Sequence, residues 1–245
     1  MKITWENNSV SPWIARRLVL SLIVVSGLAI PVAAQSFSKS FRVSPEASDL
    51  EVVNKMGSVT VVAAEGNAIT ITAHQISGEA RIEAVQKSPS RVKVEVSGSA
   101  PVDFVVGVPP HSTLDLLCYK GSITVKYVTG QLRARTTEGD IQLIGIRSVR
   151  VEARSTSGDV SFSGDVLPSG SYTLKSFSGR VEATLPATAD FKLQASSFRG
   201  GLELGGFQMS FNKQTDKSVD AVSGSGRAAV YLWTQEGSIH LHRKP

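Results

Sequence analysis

The stretch STSGDVSFSGD, Ser155–Asp165, decides how the rest of the chain is read. It holds two Gly-Asp pairs, hydroxyls on both sides and two apolar residues between them. Three structures fit such a string: a calcium loop, a nucleophile site, or a turn between two strands. The choice follows from recurrence. Gly57-Ser-Val-Thr-Val61, Gly121-Ser-Ile-Thr-Val125, Gly139-Asp-Ile-Gln-Leu143 and Gly158-Asp-Val-Ser-Phe162 share one pattern, and Gly179-Arg-Val-Glu-Ala183, Gly200-Gly-Leu-Glu-Leu204 and Gly237-Ser-Ile-His-Leu241 continue it. Each is a glycine, a turn-friendly residue, an aliphatic, a polar residue and a second apolar one.

The glycines at 121, 139, 158, 179 and 200 are 18, 19, 21 and 21 residues apart. A fixed period of this size marks a stacked repeat, in which one unit cannot bury its apolar face alone. Each period holds two short alternating runs, such as "SVRVEARS" before a glycine and "DVSFSGD" after it. Alternation with period two is the pattern of a half-buried strand, and Val, Ile, Leu, Phe and Thr suit a pleated surface. Glycine between the runs permits a change of direction, and a neighbouring Ser or Asp can bond backbone amides. The expected fold is therefore all-β: a single parallel β-helix-like solenoid of coils of about 20 residues with Gly-Ser/Asp turns. In that stack Val160 and Phe162 lie over Ile141 and Leu143 and under Val181 and Ala183.

The amino-terminal part is less regular, with strands around Gly57 and Gly66, in "SRVKVEVSG" and in "PVDFVVGVPPHSTLDLL". Residues 78–89, "GEARIEAVQKSP", read as one helical turn or an irregular strand. Between Gly200 and Gly237 the interval widens to 37 residues. The extra length, about 206–227, is polar and glycine-rich and reads as a protruding loop or hairpin.

Residues 1–34 read as a signal peptide, leaving 35–245 as one domain. Arg16 and Arg17 precede the 13-residue apolar run Leu18–Ile30, and Pro31 and the small residues Val32 and Ala34 follow. That run is short for a bilayer span, so cleavage is expected rather than retention as an anchor, with no later transmembrane segment. The formal charge of +5 includes +3 from Lys2, Arg16 and Arg17 and −1 from Glu6, so +3 remains after cleavage. Such a balance in an exported protein argues against a nucleic-acid partner. Cys118 is the only cysteine, which excludes an intrachain disulfide; alternation with Leu114 and Leu116 places it inward.

Asp140 and Asp159 recur near 20 residues, whereas a calcium site needs several oxygens converging on one point. No G-x-S-x-G elbow occurs among the serines. His240 and His242 share one face of the last strand and lack a third metal ligand. Glu182 and Glu203 hold equivalent positions in repeats that follow one another. Stacked directly they would lie about 5 Å apart, the one arrangement resembling the acid pair of a polysaccharide lyase or hydrolase. No catalytic, metal or cofactor residue is assigned.

The strongest candidate is a ladder on the strands before the glycines. Arg133, Arg135, Arg150, Glu152, Arg154, Lys175, Lys192 and Gln194 point outward, alternating with Leu132, Ala134, Val149, Val151, Leu174, Phe191 and Leu193, and Tyr231 and Trp233 close the ladder at its end. The strands after the glycines expose Gln142, Ser161, Glu182, Glu203 and His240. A basic face suits an anionic polysaccharide or lipid headgroups, with an envelope protein as a third kind of partner.

The SGDV and EGDI turns, the segment "VVGVPPHSTLDLLCYKGSITV" and the export signal together resemble the bacterial β-strand-repeat envelope proteins, a family carried as a domain of unknown function and labelled adhesin by analogy. The resemblance covers roughly Leu50 to Leu241. It implies a parallel β-solenoid in the cell envelope, periplasmic or secreted, and brings no catalytic residues. The expected function is a non-enzymatic scaffold or binding surface; the alternatives are a carbohydrate-active enzyme on a β-helix and a sensor partner in envelope signalling.

Overall fold

A computed structural model describes residues 36–44, 47–75 and 79–244. The signal peptide expected at 1–34 lies outside these residues. The described strands are β1 (Ser36–Arg42), β2 (Asp49–Met56), β3 (Val59–Ala63), β4 (Ala68–Gln75), β5 (Ala80–Ser88), β6 (Arg91–Gly98) and β7 (Val102–Val108). They continue as β8 (Thr113–Lys120), β9 (Ile123–Lys126), β10 (Leu132–Glu138), β11 (Ile141–Ile146), β12 (Arg150–Ser157), β13 (Val160–Gly164) and β14 (Ser171–Ser178). The last are β15 (Val181–Pro186), β16 (Phe191–Ser197), β17 (Leu202–Leu204), β18 (Met209–Gln214), β19 (Ser218–Ser223), β20 (Ala228–Glu236) and β21 (Ile239–Lys244).

These strands form two sheets with one apolar core between them. One has ten strands in the order β1-β4-β7-β3-β9-β11-β13-β15-β21-β17; the other has eleven, β18-β19-β16-β20-β14-β12-β10-β8-β2-β6-β5. Each coil runs along the eleven-stranded sheet, turns at its glycine, and runs along the ten-stranded sheet. Like residues align: Val160 and Phe162 pair with Ile141 and Leu143 on one side and with Val181 and Ala183 on the other. Identical apolar patterns then become continuous buried columns, which is why a short coil suffices.

The architecture is all-β, repeat-like and mostly parallel, but it is not a β-helix that advances one coil at a time. Chain order and spatial order agree from β8 to β15 and part at both ends. The coil β2–β3 sits between β6–β7 and β8–β9. The coil β20–β21 sits between β14–β15 and β16–β17. Every coil offers nearly the same apolar columns, so one neighbour is chemically exchangeable for another. The long segment after β17 supplies the reach for the chain to return one coil inward.

Two columns explain the turn. A Cβ added at Gly121, Gly139, Gly158, Gly179, Gly237 or Gly200 would come within 3.0 Å of the carbonyl oxygen of the glycine one coil below. The coils approach so closely there that no side chain fits. That same carbonyl accepts a hydrogen bond from a buried side chain three residues before the next glycine: Thr136 Oγ1 to Gly121 (3.0 Å), Ser155 Oγ to Gly139 (2.9 Å), Ser176 Oγ to Gly158 (2.8 Å), Thr234 Oγ1 to Gly179 (2.8 Å) and Ser197 Oγ to Gly237 (2.7 Å). Cys118 Sγ donates to Gly57 at 3.2 Å, and Asn54 Nδ2 donates to Val102 O at 2.9 Å. A buried carbonyl without a donor is costly, so this ladder satisfies what the tight turn would otherwise strand. Burial pushes the Cys118 thiol up to about 11.

Of the two readings of 78–89, the strand holds: Ala80–Ser88 form β5, antiparallel to β6, with a register irregularity between Gln86 and Ser88. The segment at 206–227 forms the β18–β19 hairpin, which extends the eleven-stranded sheet beside β16 instead of protruding; Val219 and Ala221 are buried. Val149 is exposed, because the bend before β12 turns Ser148 inward in its place, where its Oγ accepts from Arg150 N at 3.1 Å.

Candidate binding face

On the outer surface of the eleven-stranded sheet, side chains form rows across the strands. Residues four before each glycine make one row: Leu117, Arg135, Arg154, Lys175 and Trp233, on β8, β10, β12, β14 and β20. Residues two before each glycine make the next: Tyr119, Thr137, Thr156 and Phe177, with Tyr119 and Phe177 about half exposed. Between the rows runs a depression of about 350 Å³ lined by both. Its floor is the backbone of the buried Thr136, Ser155 and Ser176, so the hydroxyl ladder beneath fixes its shape.

Tyr231 and Trp233 do not come after the β16 residues, as chain order would place them. Because β20 lies between β14 and β16, Trp233 stands directly beside Lys175, and Tyr231 beside Thr173. Lys175 Nζ lies 4.7 Å from the centre of the Tyr231 ring, a cation–π contact.

The face is also not uniformly basic. Arg133 lies between Asp115 (3.9 Å) and Glu152 (3.5 Å). Arg135 Nη2 donates to Asp115 Oδ1 at 3.1 Å, and Arg154 Nε forms an ion pair with Glu152 Oε1 at 2.9 Å. These carboxylates stand in the row behind the cations, away from the depression, and hold the two guanidinium groups in place. Arg135 Nε is buried without an acceptor, and Lys175 has no carboxylate in ion-pair range among the described residues. Arg150 and Lys192 fall in another row, separated by Ser171 and Ala229, and do not join the cluster.

On the opposite sheet the Glu182–Glu203 pair is not formed. His240 lies between them in register. Its Nδ1 lies 3.1 Å from Glu203 Oε2, and its Nε2 lies 2.7 Å from Ser238 Oγ; His242 Nε2 lies 3.5 Å from Glu182 Oε1. Asp140 and Asp159 are engaged as well. Asp140 Oδ1 accepts Asp159 N at 2.8 Å, and Asp159 Oδ1 accepts Arg180 N at 2.7 Å. Each therefore ties one turn to the next. No group of three His, Cys, Asp or Glu side chains among the described residues is placed to hold a metal ion.

The threonine row and the buried hydroxyl ladder went unread in the sequence. Their signal was present: Asn, Cys, Thr, Ser, Ser, Ser and Thr stand three residues before the glycines at 57, 121, 139, 158, 179, 200 and 237.

Fold and face together describe a stacked-coil β protein that presents one cationic, aromatic sheet surface. The chain belongs to the Toastrack DUF4097 family, whose model matches residues 46–242. The resemblance read from the SGDV and EGDI turns thus led to a family of unknown function. No curated protein matches the chain. Solved structures align along most of it at low identity. One from Clostridium sporogenes, provisionally titled a cell adhesion protein, has 12% identity and a TM-score of 0.49, covering 86% of this chain and 100% of its own. Another from Bacteroides fragilis, provisionally titled an adhesin, has 8% identity and a TM-score of 0.36, covering 86% and 97%. A third from Parabacteroides distasonis, provisionally titled a lipid binding protein, has 8% identity and a TM-score of 0.31, covering 87% and 98%. No helix among the described residues is long and apolar enough to cross a membrane.

Proposed function

We propose that the protein is exported and serves the cell envelope as a non-enzymatic β scaffold, with the outer face of its eleven-stranded sheet binding an anionic envelope component. The observation that carries this reading is the row Arg135–Arg154–Lys175, three cations on adjacent strands with no carboxylate between them, ending against Trp233. Strand spacing sets their backbones about 4.8 Å apart per step. Asp115 and Glu152 offset part of the repulsion among these cations, and an anionic ligand offsets the remainder. Support for export comes from the leader read at 1–34 and from family membership. A glycosidase-like reading has less support, since His240 separates Glu182 from Glu203.

The test is retention of the purified protein on isolated anionic envelope material at low salt. Binding is expected to weaken steeply with added salt and to vanish in R135E/R154E/K175E, while E182Q/E203Q binds as wild type. Unchanged retention of the charge-reversed protein refutes the reading, and loss of envelope-polymer breakdown in E182Q/E203Q favours the enzyme instead.

A further inference from the structure

The binding face carries more information than its charge. Its cations repeat at the strand interval and lie along one side of a depression, with hydroxyls along the other. We propose that this depression takes an acidic polysaccharide in extended form, lying across the strands with successive acidic sugars against Arg135, Arg154 and Lys175 and a further sugar ring against Trp233. This rests on the proposed function and narrows it to one ligand class.

Three features favour a chain of acidic sugars over a bilayer. The first is repeat length. The interval between neighbouring parallel strands, about 4.7–4.9 Å, is of the order of one sugar unit in an extended polymer, so a chain lying across the strands passes one cation about every sugar. Phosphates on a lipid surface carry no such fixed spacing. The second is shape. The site is a depression between two rows of side chains, about 350 Å³ in volume. A chain can lie in it, whereas a flat headgroup layer touches only its rims. The third is the chemistry of the opposite side. Thr137 and Thr156 present exposed hydroxyls at the same interval as the cations, suited to sugar hydroxyls. The aromatic surfaces of Phe177 and Trp233 at one end suit the apolar face of a sugar ring.

The cations are prepared for this role. Asp115 and Glu152 bind Arg135 and Arg154 from the side away from the depression, which limits their rotamers without occupying the groove. The inserted β20 is essential, since without it the row would run from Lys175 to Ser196.

The experiment titrates the protein with oligogalacturonates, monomer through hexamer, by calorimetry, with phosphatidylglycerol vesicles and neutral malto-oligosaccharides in parallel. Affinity is expected to rise several-fold with each unit and to level off at about four units, one for each of Arg135, Arg154, Lys175 and Trp233. R154Q and T156V are expected to weaken the tetramer more than the monomer, with melting temperatures confirming that both variants fold. Quenching of tryptophan emission on binding is expected to be absent in W233F. Vesicle binding with no length-dependent oligogalacturonate binding overturns the polysaccharide while leaving the face as a binding surface. Binding of neither, with charge reversal without effect on envelope retention, overturns both. Equal affinity for neutral and acidic oligomers also overturns it.

Discussion

Replacing Gly158 by alanine probes the column on which the stack depends. The added Cβ would lie within 3.0 Å of the carbonyl carbon and oxygen of Gly139 in the adjacent coil. Both obstacles are backbone, held by the parallel ladder, so no change of rotamer relieves the clash. Overpacking of this kind costs about 1–3 kcal/mol. Gly158 also has φ of 142°, and a side chain in such a conformation costs roughly 1–2 kcal/mol more. The sum is about 2–5 kcal/mol, and in a domain of this size each kcal/mol moves the melting temperature by about 2–4 °C. A fall of roughly 4–20 °C is therefore expected in thermal unfolding followed by circular dichroism. Gly201 is the control: it is next to a column glycine, yet a Cβ there meets nothing within 4 Å. Its alanine variant is expected to stay within about 0.5 kcal/mol of wild type. Ser155→Ala removes the donor to Gly139 O and is expected to cost about 1–3 kcal/mol. Because both substitutions act on the same carbonyl, the double variant should lose less than the sum. If Gly158→Ala melts with Gly201→Ala, close packing is not what requires glycine there.

Further expectations concern single groups. The Cys118 thiol, raised to about 11 by burial, should resist a thiol reagent near neutral pH in the folded protein and react once denatured; equal rates in both states would contradict its place in the ladder. Bonds from the Ser225 hydroxyl (2.7 Å) and from the backbone and guanidinium of Arg227 hold the Asp190 carboxyl well below the usual carboxylate range. Its contribution is thus present above a pH of about 3.9 and is lost as pH falls further, so the melting-temperature gap between wild type and Asp190→Asn should shrink in acid; a constant gap would refute the assignment. Tyr172 donates to Ser148 O at 2.6 Å and accepts from Leu167 N at 2.8 Å, so Tyr172→Phe should destabilise by about 1–3 kcal/mol in urea unfolding.

Within a coil, the sequence was highly informative. Strand alternation, the glycine turn and the inward direction of Val160, Phe162 and Cys118 follow from local pattern, because burial on one face of a strand leaves a period of two. The cations at Arg135, Arg154 and Lys175 were equally legible, standing at one offset from successive glycines. The order of the coils was not. Val181 pairs equally well with Ile239 or with Leu202 in apolar character, and only the three-dimensional register seats Ile239 against it. That single fact moved Trp233 next to Lys175 and parted Glu182 from Glu203. Charge compensation was hidden for a related reason: Asp115 and Glu152 flank Arg133 across strands, a neighbourhood that strand sequences do not display singly.

The position of β20–β21 inside the stack governs both the binding row and the broken acid pair, and a disulfide reports it directly. Glu182 pairs with His240, and His240 with Glu203, so Glu182 and Glu203 lie two strands apart, about 9–10 Å. Cysteines cannot bridge when their Cα atoms are more than about 7 Å apart. Mild oxidation should therefore crosslink E182C/H240C and leave E182C/E203C with free thiols, Cys118 remaining buried in both. A disulfide in E182C/E203C and none in E182C/H240C would mean that the coils stack in chain order, and the binding row would be lost with it.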